Sequence, residues 1–207
     1  MLKMKFRPAP LAAAALLAAL TLAAPARADT VGDGSQLIRS MGESVVAILA
    51  NKGLPKAQRE ERFRQIYRAN FDHAIIAASV MGPPWKNASQ AARDEYLELF
   101  ETYIAKVYAA QLSTYSGEKL DVVKGEADGP GATIESRIVD PKSGRTVEIK
   151  WRLRPTDGKL KVRDVLIENI SMALTQRREF AAVLQQRGGK AEGLIAAIRE
   201  KIAVLDK

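Results

Sequence analysis

A chain of 207 residues with 47% hydrophobic and 27% charged side chains carries enough apolar surface for a sizeable packed core, which excludes a disordered or purely fibrous protein. It has no cysteine and a single histidine, which excludes a disulfide framework, a thiol site and a histidine-rich metal centre, so the fold must rest on packing. The formal charge of +8 points to an anionic partner, but part of it sits in the first residues.

Those residues read as an export signal. Lys3, Lys5 and Arg7 form a basic start, Leu11 to Ala24 an apolar run, and Ala26-Arg27-Ala28 a small-x-small cleavage site. The apolar run is shorter than the roughly 20 residues a spanning helix needs, which disfavours a retained anchor. Cleavage after Ala28 would leave residues 29–207 as one soluble domain and lower the formal charge to +4 by removing Lys3, Lys5, Arg7 and Arg27. An exported bacterial chain is expected in the periplasm, where anionic lipid is a more available partner than nucleic acid.

The elements follow in order. Ile38, Met41, Val45, Ile48 and Leu49 recur at helical spacing over about 31–51, and Gly53-Leu54-Pro55 ends that helix. A second helix carries Phe63, Ile66, Tyr67 and Phe71 as its apolar stripe, with a basic set (Lys56, Arg59, Arg62, Arg64, Arg68) read as a solvated face. Asp72 is placed to cap a short third helix that Gly82-Pro83-Pro84 stops, leaving Trp85 in a loop. Asn87 or Ser89 caps the longest helix, expected over 90–116. Its wide stripe is rich in tyrosine: Tyr96, Leu97, Phe100, Tyr103, Ile104, Val107, Tyr108, Leu112 and Tyr115.

From Lys119 the apolar period falls to two. Leu120 to Glu126, Ala132 to Val139, Arg145 to Pro155 and Lys159 to Ile167 read as four strands. Their short links, Asp157-Gly158 among them, favour an antiparallel meander. The phase change at Arg163-Asp164 predicts a bulge or a switch of the buried face. Ser171 or Thr175 is placed to cap a helix over 172–187 with Leu174, Phe180, Val183 and Leu184 inward. A last helix carries Leu194, Ile195, Ile198, Ile202 and Leu205. The expected class is α+β, helices packed on one face of a four-stranded antiparallel sheet.

Chemistry is sparse. No GxSxG, HExxH, P-loop or GxGxxG occurs, and His73 stands alone beside Asp72. Asp164 and Glu168, on or beside the last strand, are the acids placed for an enzyme on a cone-like α+β fold. An acid in a strand is more often the partner of a nearby arginine, so no catalysis, cofactor or metal is expected.

Phe63-x-x-Ile66-Tyr67-x-x-x-Phe71-Asp72, Met81-Gly82-x-x-Trp85-Lys86, the tyrosine-rich helix, Asp164-Val165, Ile170-Ser171-Met172 and Thr175 to Phe180 succeed one another in an order that resembles the MlaC, or toluene-tolerance, family of periplasmic phospholipid-binding proteins. The resemblance covers nearly all of the chain after residue 28. Relatives often carry a Leu-Gly-x-x-Trp-Arg-like segment where this chain has Met81-Gly82-Pro83-Pro84-Trp85-Lys86, and the two prolines stiffen that loop.

The resemblance implies a carrier that encloses acyl chains in an apolar pocket between sheet and helices and shuttles phospholipid between two membranes. Its implied partners are an MCE-domain and ABC-transporter complex at the inner membrane and a lipoprotein complex at the outer one, with transient contact to the membrane surface. The expected lining is Phe71, Ile75, Val80, Trp85, Phe100, Tyr103, Ile104, Val107 and Tyr108 on the helices, with Val147, Ile149, Trp151 and Ile167 on the sheet. The alternatives are a carrier for another apolar lipid such as a hopanoid, the small-molecule enzyme above, and an interaction module with a filled core.

Overall fold

A computed structural model describes residues 29–111 and 115–207. The expected export signal, residues 1–28, and Leu112 of the tyrosine-rich stripe lie outside these described residues.

Helix α1 (Thr30–Ala50) starts at Asp29, whose carboxylate accepts from the Gly32 amide at 2.9 Å, and it buries Ile38, Met41, Ile48 and Leu49. Helix α2 (Lys56–Asn70) follows the break at Pro55 and buries Phe63 and Tyr67. Helix α3 (His73–Met81) begins at Asp72, but the Asp72 carboxylate does not cap it, contrary to expectation; it is engaged elsewhere, as described below. Trp85 is not in a loop. It lies in the short helix α4 (Pro84–Asn87), which proline initiates because its fixed φ suits a first helical position that needs no amide hydrogen. Ser89 accepts from the Ala92 amide at 3.2 Å and so caps α5 (Gln90–Gln111). Tyr115 falls beyond α5, packed with the cluster of Ile48, Leu49 and Phe63.

The strands β1 (Lys119–Asp128), β2 (Gly131–Val139), β3 (Thr146–Thr156) and β4 (Lys159–Ile167) form the expected meander, and a two-residue β5 (Ile170–Ser171) extends it in the order β1-β2-β3-β4-β5. The β3–β4 hairpin turns on Asp157-Gly158, both at positive φ. The β4–β5 turn uses Glu168 and Asn169 at φ 49° and 62° without any glycine, which is why the short fifth strand carried no sequence signal. The phase change at Arg163 is a bulge: Arg152 pairs with Asp164 and Leu153 with Val162, leaving Arg163 over. Ser171 caps α6 (Met172–Gln186) by accepting from Leu174, and α7 (Ala191–Leu205) ends the chain's secondary structure. Leu174 itself is 46% exposed, not inward, while its neighbours Met172, Ala173 and Thr175 in the first turn of α6 are half-buried.

Two main cores result. Ile38 and Met41 of α1 pack on Ala132, Ile134, Leu153 and Val162 of the sheet. Separately, Val80, Met81, Tyr96, Phe100, Phe180, Leu184, Leu194, Ile195 and Ile198 join α3, α5, α6 and α7 into a helical cluster.

Candidate functional site

The register assigns the inner face of the sheet. Ile134 pairs with Trp151 and Trp151 with Val165; Ser136 pairs with Ile149 and Ile149 with Ile167; Ile138 pairs with Val147. Because strand side chains alternate, these residues share one face with Leu153, Ala132 and Val162. The four expected sheet residues Val147, Ile149, Trp151 and Ile167 therefore do lie together on that face. Trp151 is oriented by its indole N–H, which donates to the buried Ser136 hydroxyl at 2.8 Å.

Helix α1 covers part of this face closely. A β-carbon added at Gly34 would come within 2.6 Å of Leu153 and 3.2 Å of Ile134, and one added at Gly42 within 2.6 Å of Leu120. The corner formed by the start of β3 and the end of β4 is different. Ile149 is buried and Val147 and Ile167 are half-buried, yet none of the three belongs to a packed apolar cluster among the described residues.

Helix α5 packs on α2, α7 and α3, and has no extensive packing against any strand. Its helical spacing places Phe100, Ile104, Val107 and Tyr108 on one face. Phe100 and Ile104 join the helical cluster, whereas Val107 and Tyr108 are half-buried and, like the sheet corner, outside every cluster.

The remaining expected residues divide. Trp85, Phe100 and Tyr103 form an aromatic row with Tyr96 and Phe180, ring centroids 5.6 to 6.1 Å apart. Arg93 clamps Trp85, lying 5.4 Å from the ring centroid while donating to the Trp85 carbonyl. Val80 is fully buried among the helices, and Ile75 is 45% exposed on α3. Phe71 packs against both cores and makes a parallel bridge to Val162, so it joins the helices to β4.

That junction is held by a polar latch the sequence did not reveal. The Asp72 carboxylate, 7% exposed, accepts from the Thr156 hydroxyl at 2.7 Å and from Arg163 Nε at 3.1 Å, and the Asp72 amide donates to the Val162 carbonyl at 3.0 Å. The bulge that leaves Arg163 unpaired in the ladder is what aims its side chain at Asp72. A second buried carboxylate, Glu101, ties α5 to α2 through two hydrogen bonds from Arg68 at 2.8 and 3.1 Å.

The acids considered for catalysis have structural partners. Asp164 accepts from the amides of Val165 and Ala173 and lies 3.5 Å from Arg152, which ties β4 to the start of α6. Glu168 accepts from the Glu148 amide at 2.7 Å. Among the described residues no group of three or more His, Cys, Asp or Glu is arranged to hold a metal ion.

A meander whose inner face is covered closely by one helix on one side and left as a sheltered apolar corner on the other, with a second helical layer joined to it along β4, defines a helix-on-sheet α+β protein built around an interior apolar face. A solved phospholipid-binding protein from Ralstonia solanacearum, determined in complex with a phospholipid, has the same fold: the TM-score is 0.71 at 20% identity, over 84% of this chain and 99% of that one. The intermembrane phospholipid transport system binding protein MlaC of Haemophilus influenzae is 24% identical over 123 residues, 58% of this chain. The match spans 56% of that curated relative's length. A family model described as MlaC protein matches residues 39–200, and the chain belongs to the MlaC family.

Proposed function

We propose that this protein binds a phospholipid by its acyl chains between the sheet corner and the facing side of α5, and carries it through the periplasm between the outer and inner membranes. The observation that carries this reading is the set Val147, Ile149, Ile167, Val107 and Tyr108: apolar or aromatic side chains sheltered from water yet outside every packed cluster. Apolar side chains sheltered from water but outside the tightly packed clusters are suited to line a pocket for an apolar ligand. Trp151, Phe71, Tyr103 and Ile104 would continue those walls, with Phe100 and Val80 behind them and Trp85 and Ile75 toward the outside. The solved relative with the same fold holds a phospholipid, which supports the choice of ligand.

The energetics suit a carrier. Two acyl chains hold roughly 30 methylenes, and their exposure to water at about 0.8 kcal/mol each would cost on the order of 20 kcal/mol or more. The tails must therefore be enclosed almost completely in transit. Transfer from a bilayer to an equally apolar pocket is close to neutral, so release needs no large input at the protein itself. The directional step would belong to an MCE-domain and ABC-transporter complex at the inner membrane, with a lipoprotein complex as the outer-membrane partner and brief contact with the membrane surface. Among the described residues no helix is long and apolar enough to cross a membrane, which is compatible with a carrier released after export.

The test is native mass spectrometry of protein purified without detergent, followed by organic extraction and lipid identification. Phospholipid at about one per chain is the expected result. A hopanoid would redirect the reading to another apolar lipid, and a protein that neither carries lipid nor takes it from liposomes would overturn it in favour of an interaction module or an enzyme.

A further inference from the structure

The Tyr67 side chain is 9% exposed, and among the described residues its hydroxyl has no hydrogen-bond partner. The comparable hydroxyl of Tyr96 donates to the Ala77 carbonyl at 3.0 Å. Tyr67 lies at the seam of the two cores: its ring packs on Phe71 with centroids 4.9 Å apart, and Phe71 touches both the helical and the sheet cluster. The hydroxyl feels Glu101 and Tyr108 of α5 and Asp72 at the α2–α3 junction.

Neither carboxylate answers it. Glu101 is taken by Arg68, and Asp72 by Thr156 and Arg163. Burial first, then the nearby charges, push the Tyr67 phenol far above its usual range, so it stays protonated and remains a donor. A buried hydroxyl left without an acceptor is destabilising, and such groups in native proteins call for an explanation. Of the other tyrosines of the helical layer, Tyr103 and Tyr108 of α5 are half-buried.

We propose that the Tyr67 hydroxyl donates a hydrogen bond to an acyl ester carbonyl of the bound lipid, so that the protein selects ester-linked over ether-linked chains. The inference rests on the lipid-carrier reading above. Two buried carboxylates nearby disfavour a phosphate at this point, and the apolar surroundings disfavour any charged group. An ester carbonyl is uncharged, accepts one hydrogen bond well, and lies where the apolar chains of a diacyl lipid meet its polar part. Tyr67 is thus a specificity-determining residue, at the point where the chains meet the polar part of the lipid.

The experiment takes delipidated protein expressed from the full chain, and its Tyr67→Phe variant. It measures their equilibrium uptake from vesicles of a diacyl phosphatidylglycerol and of the dialkyl ether analogue with the same chains and headgroup. Wild type is expected to prefer the ester lipid by about five-fold. Tyr67→Phe should take both lipids equally, at the wild-type affinity for the ether, and the empty variant should melt no lower than empty wild type because only an unpaired group has been removed. Wild type that takes both lipids equally overturns the proposal and leaves the carrier reading standing. A variant that keeps the ester preference, loses both lipids alike, or melts several degrees lower when empty also overturns it. Wild type that takes neither lipid overturns both readings.

Discussion

The two sides of the sheet's inner face are treated in opposite ways. Under α1 the contact is so close that a β-carbon at Gly34 or Gly42 would displace Leu153 or Leu120, and Ile38, Ala132, Ile134, Leu153 and Val162 are fully buried. At the corner of Val147, Ile149 and Ile167 similar aliphatic residues on the same strands are sheltered without entering a packed cluster. Protein interiors are normally packed like organic crystals, so the difference separates the scaffold that holds the sheet from the corner where the ligand is proposed to lie. The Asp72 latch ties the α2–α3 junction to Thr156 and to Val162 and Arg163 of β4.

The comparison is broken most severely from the packed side. Gly34→Leu forces a side chain into Leu153 and Ile134, and is expected to destabilise the protein by about 3 kcal/mol, read as a lower urea midpoint with the slope unchanged. A midpoint within error of wild type would show that α1 is not seated as closely as the geometry states. Asp72→Ala should cost less, about 2 kcal/mol, by leaving Thr156 and Arg163 without their acceptor. It should also raise hydrogen exchange at the α2–α3 junction before it does so in β1 and β2; uniform exchange would mean that Asp72 is not a local latch.

On the other side the expectation reverses. Val107→Trp adds bulk to a half-buried face outside the clusters, so stability should change by less than about 1 kcal/mol while co-purifying lipid falls several-fold. A well-folded variant with undiminished lipid would remove Val107 from the wall. The smallest effect is electrostatic. The hydrogen bond and charge of Arg154 hold the exposed Asp128 carboxyl below its usual value of 3.8. A depressed carboxylate contributes stability that is present above the unfolded value and lost as pH falls through the folded one. Wild type should therefore lose slightly more stability than Arg154→Ala between neutral pH and the acid side of 3.8, measured by urea midpoints. Parallel losses would show that the pair contributes nothing, as many exposed pairs do not.

Much of the fold was legible in the chain. Period-two alternation marked β1 to β4, Asp157-Gly158 marked a hairpin, and the broken phase at Arg163 marked the bulge. Ser89 and Ser171 cap where their position before apolar runs suggested. Asp72 looked like a cap for the same reason, but a carboxylate beside an incoming arginine and threonine gains more from them than from free helix amides exposed to water. Trp85 was read into a loop because two prolines precede it, although Pro84 begins a short helix there. The site was half legible. Alternation alone assigned Val147, Ile149, Trp151 and Ile167 to one face. On α5 the apolar stripe has the same spacing where it joins the helical cluster, at Phe100 and Ile104, and where it does not, at Val107 and Tyr108, so periodicity had no means of telling these positions apart.

By itself the sequence determined the order and type of the longer elements, the inward face of most of them, and the absence of cysteine chemistry, because these depend on local periodicity, capping residues and composition. Only the tertiary structure decided which inward residues meet a partner. Whether Val147 is packed or Tyr67 is left without an acceptor depends on what arrives from elements far along the chain, and on the distance at which Asp72, Arg163 and the glycines of α1 hold them.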